Sequence, residues 1–87
     1  MAKKISQKIL KYTAIFEPAE EGGYVVIVPA LPGCVTEGNS LEEAVEMVKD
    51  AISVYIASLK KHNEIVPEEK GPSFMTTIDI PIQQTLS

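Results

Sequence analysis

Val28-Pro29-Ala30-Leu31-Pro32-Gly33-Cys34-Val35-Thr36-Glu37-Gly38-Asn39-Ser40-Leu41-Glu42-Glu43, residues 28–43, holds a strand end, a stiff turn, a short strand and a helix start within sixteen positions. Pro29 has no N–H to donate and ends the ladder before it. Pro32-Gly33 suits the central positions of a type II turn, with proline presetting φ and glycine supplying positive φ. A short strand over about Cys34 to Glu37 follows, and Gly38-Asn39 leads out of it. Ser40 is a good N-cap, and Glu43 three residues later completes the capping-box pattern Ser40-Leu41-Glu42-Glu43.

Downstream of this cap the spacing predicts one long helix, running to about Lys61. Leu41, Val45, Val48, Ile52, Tyr55, Ile56 and Leu59 recur at intervals of three and four and form its apolar stripe. A second row, Ala44, Met47, Ala51 and Val54, widens the stripe and faces either another subunit or the edge of the domain itself. Lys60 and Lys61 complement the negative end of the helix dipole. Upstream, Ile9 to Glu17 alternates as a strand, with Tyr12, Ala14 and Phe16 on one face. Residues 18–23 read as a hairpin loop, and Tyr24 to Val28 as a second, strongly apolar strand. Beyond the helix, Ser73 to Ile80 alternates again, and Pro81 stops it. The expected fold is α+β, in the order β-β-β-α-β. An antiparallel-rich sheet carries one long helix on one face, in a single domain with a core over about residues 9–80.

At 87 residues the chain forms one small domain with a limited core, which favours self-association as a homodimer or higher oligomer. Twelve carboxylates face eight lysines and no arginine, for a net charge of −4. Lys3, Lys4, Lys8 and Lys11 fall in the first eleven residues, as a solvated terminus or a nucleic-acid arm. From Tyr12 onward all twelve carboxylates stand against four lysines. Such a body repels phosphate backbones and suits a basic protein partner. No apolar run reaches the eighteen or so residues of a membrane span, no signal peptide is recognisable, and the cytoplasm is the expected location.

Little here supports catalysis. His62 is the sole histidine and sits at a helix end, where it complements the dipole. Cys34 is the sole cysteine, so no internal disulfide or thiolate metal cage forms, and it reads as a small core residue. Asp50, Asp79 and the glutamates show no spacing that converges on a metal. No cofactor, catalytic residue or metal site is expected.

The tandem of motifs resembles the N-terminal domain of HicB-type antitoxins. Tyr12-Thr13-Ala14 with Phe16-Glu17, Glu21-Gly22-Gly23-Tyr24, the Pro29–Cys34 loop, Gly38, Ser40-Leu41-Glu42-Glu43-Ala44 and Ile65-Val66-Pro67 carry the resemblance, over roughly Tyr12 to Pro67. It implies a partial ribonuclease-H-like fold without that activity. It further implies a small basic, mRNA-cleaving toxin of the HicA type as the partner that the protein masks. Many family members add a C-terminal DNA-binding module. Only seven residues follow Ile80, so direct DNA binding is not expected here. Tyr24, Pro29, Leu31, Pro32 and Gly33 are the candidate partner contacts, although the Pro-Leu-Pro-Gly stretch also serves simply to turn the chain. The competing readings are a degenerate ribonuclease-H-like nuclease and a subunit of an unrelated assembly.

Overall fold

The computed structural model describes residues 7–85. Lys3 and Lys4 of the basic cluster lie outside them, while Lys8 and Lys11 are exposed. The architecture is α+β, with β1 (Ile15–Pro18), β2 (Tyr24–Ile27), β3 (Val35–Gly38) and α1 (Leu41–Lys61) in chain order. The three strands form one antiparallel sheet in the order β1-β2-β3.

The β2–β3 connection is two turns in succession. Leu31 N–H donates to the Val28 carbonyl at 3.0 Å, and Cys34 N–H donates to the Leu31 carbonyl at 2.9 Å. Gly33 has φ +83°, the value that the second central position of a type II turn requires. The turns press Leu31 inward until it is wholly buried with Val26, Val28, Cys34, Ala44 and Val48. From the helix, Tyr55 reaches back and donates its hydroxyl to the Pro32 carbonyl at 2.7 Å.

The helix has the bounds expected. Ser40 is extended (φ −141°, ψ 168°), and its Oγ accepts from Glu43 N–H at 3.1 Å. The return leg of the box is displaced by one residue. Glu43 Oε1 accepts from the Asn39 backbone N–H at 3.3 Å and from Asn39 Nδ2 at 3.4 Å, instead of from Ser40. At the other end Asn63 adopts φ +57°, and the Glu64 and Asn63 N–H groups donate to Leu59 and Lys60 carbonyls, a Schellman closure. Ser40→Ala is expected to lower stability by about 1 kcal/mol, through loss of the partner of the Glu43 N–H. A urea midpoint equal to the wild type's would show that the cap contributes nothing.

Gly38 sets how the helix meets the sheet. A Cβ there would lie 2.5 Å from the Ala44 backbone nitrogen, so glycine permits the first helical turn to rest on β3. That close approach fixes the rotation of the helix about its axis. Ala44 is wholly buried and Ala51 packs on the core beside Ile52 and Tyr55, whereas Leu41 is 49% exposed. Of the second apolar row, Met47 and Val54 face outward and Ala44 and Ala51 face the protein's own sheet.

Two expected strands differ. The first begins at Ile15 and not at Ile9, because Ile15 pairs with Ile27 and the partner chain turns away at Pro29-Ala30. Residues 9–14 therefore have no ladder to join, although Tyr12 and Ala14 still pack on the core with Phe16. The segment from Ser73 to Ile80 is not a strand. Its residues are all exposed and pair with no part of the sheet, so the observed order is β-β-β-α. What does return to the sheet is the stretch 67–69. Tyr12 Oη donates to the Pro67 carbonyl, the Glu69 carboxylate accepts from both Thr13 N–H and Thr13 Oγ1, and Lys8 pairs with Glu68 at 3.1 Å.

Candidate protein-docking site

Alternation gives the sheet two unlike faces. Tyr24 and Val26 of β2, and Val28 just beyond it, face α1 with Phe16. Val25 and Ile27 therefore point to the other side, which no element covers among the described residues. The strand register lines up two rows there. Ile15, Ile27 and Val35 are direct cross-strand partners, and so are Glu17, Val25 and Glu37. The first row is apolar, with Val35 55% exposed and Ile15 and Ile27 half-buried. The second places a carboxylate at each side of Val25, on outer strands about 10 Å apart.

The acidic rim continues around the end of the sheet. A groove of about 680 Å³ runs from the β1–β2 hairpin to the start of α1. Glu20, Glu21, Glu37 and Glu43 line it with Tyr24, Val25 and Met47, and no lining residue is a cation. Open face and groove share Val25 and Glu37, so they form one continuous surface with an apolar floor and a carboxylate border. Sequence reading placed neither Glu17 nor Glu37 at a site. The signal was their position two residues beyond an apolar one on each outer strand, which acquires meaning only once register is known.

The candidate residues of the sequence divide. Tyr24 lines the groove, Pro29 and Ala30 border a smaller cavity beside Ile15, and Pro32 and Gly33 are exposed at the turn. Leu31 is 0% exposed and presents nothing to a partner; its place is the core. Ser40 and Glu43 hold the helix cap, and Glu43 also borders the groove. Met47 belongs to the groove, while Val54 is 62% exposed farther along the helix.

Groups with reactive chemistry do not assemble here. Burial pushes the Cys34 thiol above its ordinary value, which suppresses the thiolate a nucleophile needs. Burial, then Glu68 and Glu69, raise the Tyr12 hydroxyl, with Lys8 opposing. His62 is exposed, with Nδ1 2.8 Å from the Ser58 carbonyl. Among the described residues, no three His, Cys, Asp or Glu side chains are grouped to hold a metal ion. Among the same described residues, no helix is long and apolar enough to cross a membrane.

Comparison with known proteins identifies relatives of this arrangement. The sequence profile of the HicB-like antitoxin of bacterial toxin–antitoxin systems matches residues 12–79. A UPF0150 protein of Thermoplasma acidophilum is 55% identical over 62 residues, covering 71% of this chain and 90% of that protein. Antitoxin HicB 1 of Photorhabdus laumondii is 37% identical over 75 residues, covering 86% of this chain and 48% of that protein. Antitoxin HicB of Escherichia coli is 34% identical over 58 residues, covering 67% of this chain and 42% of that protein. The match thus spans nearly all of the UPF0150 relative and somewhat under half of each of these two HicB antitoxins.

Proposed function

This chain belongs to the HicB-like antitoxin family of bacterial toxin–antitoxin systems, and on that premise we propose that it neutralises a small basic ribonuclease toxin by covering it with the open face of its sheet. The family is one of antitoxins, so the role is inhibitory and not enzymatic. The observation that carries the docking site is the carboxylate-bordered apolar row, Ile15-Ile27-Val35 beside Glu17-Val25-Glu37. An uncovered apolar row supplies the dry centre that protein interfaces use, and the border supplies charge opposite to an RNA-binding surface. A toxin that cleaves mRNA needs cations where the phosphates lie. A partner that occupies those cations excludes the RNA.

The proposed complex is that of a HicA-type toxin with this protein, in the cytoplasm. No cofactor takes part, and no direct contact with DNA is involved. Purified protein should abolish RNA cleavage by the ribonuclease encoded beside its gene at near-stoichiometric ratio, without cutting RNA itself. Undiminished cleavage at a large molar excess would contradict the proposal.

A further inference from the structure

We propose that residues 73–82 form a strand that adds to the outer edge of β1 in a second copy of this chain, so that two protomers exchange arms. Phe74, Met75, Ile78, Ile80 and Ile82 are 69–90% exposed, and Asp79 is the only charged side chain between Ser73 and Thr85. The order Phe74, Thr76, Ile78, Ile80 has the two-residue period and the side chains of a half-buried strand. Extended apolar chain of this kind is a liability unless another strand covers it. The same molecule holds the matching vacancy: β1 pairs with β2 on one side, and no described strand pairs with its other side. The β3 edge is unpaired as well, but the β1 edge is the one beside Thr13, where Glu69 anchors the base of the arm, so one arm per chain on that edge closes a two-fold dimer by reciprocal exchange.

The base of the arm directs it away from its own sheet. Glu69 is held against Thr13 by two hydrogen bonds, just ahead of β1. Gly71, at φ +152°, and Pro72 follow, and Pro72 has no N–H with which to continue pairing along that edge. A cavity of about 380 Å³ then separates Ile15 and Pro29 from Ser73, Phe74 and Met75. Beyond it residues 73–82 join no strand and stay exposed, and the chain as a whole is elongated. The radius of gyration is 18.2 Å and the longest extent 80 Å, against a radius of about 12 Å for a compact domain of this length. Five large apolar side chains on each arm, exposed as stated, give a two-fold exchange apolar surface to bury on both arms, where a standard stable interface takes about 1,600 Å² in total.

The arm lies outside the acidic rim, so the inference stands or falls separately from toxin binding and is tested without a toxin. Sedimentation equilibrium of the full chain at micromolar concentration should give a dimer. Ile78→Glu, at an exposed position, should weaken dimerisation by at least about 100-fold while leaving the helical circular dichroism unchanged. In the wild type, hydrogen exchange at the amides of residues 74–80 and of β1 should slow as concentration rises through the dimerisation range. Three results would overturn the proposal. They are a wild-type monomer throughout that range, a dimer that Ile78→Glu leaves intact, and arm amides protected in a monomer, the signature of closure onto the chain's own β1.

Discussion

Leu31→Ala is expected to lower stability by about 2–5 kcal/mol, the cost of emptying a large core site. Leu31 is the largest of the wholly buried side chains, ahead of Val26 and Val28, and it is held there by the turn that it belongs to. Its own N–H and carbonyl close the two successive turns, to Val28 and from Cys34. Backbone and side chain are thus fixed together, and neighbouring groups have little freedom to collapse into the space left behind. A domain of this size has only about 5–15 kcal/mol in total, so the variant should be partly unfolded near physiological temperature. Thermal and urea denaturation measure this directly. A loss below about 1 kcal/mol would place Leu31 at the surface, where a partner contact would lie. Pro32→Ala, at the exposed neighbouring position, should cost far less.

Reversing the border charges should slow toxin binding strongly. Glu17→Lys with Glu37→Lys changes the net charge by four units, from −4 to 0. Both residues are exposed, on outer strands, and opposite Val25, so the fold should tolerate the change. Association with the basic toxin is expected to slow by about 10–100-fold at low ionic strength. The deficit should shrink as salt rises, because the Debye length falls from about 10 Å at 0.1 M to about 3 Å at 1 M. Glu42→Lys with Asp50→Lys makes the same change in net charge on the exposed side of α1. That pair should slow association much less. Equal slowing by the two pairs, followed by stopped-flow fluorescence, would mean that overall charge matters and the sheet face does not.

What was legible in the sequence was what local chemistry decides. Ser40 and Glu43 mark the helix start, Lys60 and Lys61 its end, and Pro32-Gly33 the turn between β2 and β3, because each acts on backbone groups within a few residues. What required the structure depends on partners distant in sequence. The first strand is short because its ladder ends where the neighbouring chain turns at Pro29-Ala30, and the alternation of Tyr12 and Ala14 carries no trace of that. The segment 73–80 alternates like a strand, yet period alone does not say whether an edge is within reach. On α1, side-chain size favours Leu41 as an inward residue. The contact of Gly38 with Ala44 rotates the helix instead, so that small side chains face the sheet. The acidic border was hidden for a similar reason: Glu17 and Glu37 lie twenty residues apart in the chain and become a pair only through Val25.

Methyl-resolved NMR of this protein, titrated with its toxin, tests the docking face most directly. The methyl signals of Ile15, Val25, Ile27 and Val35 should shift or broaden on binding, with those of Val54 and Ile56 on the helix nearly unchanged. Perturbations concentrated on α1, with the four sheet methyls unmoved, would show that the toxin docks elsewhere and would contradict the account.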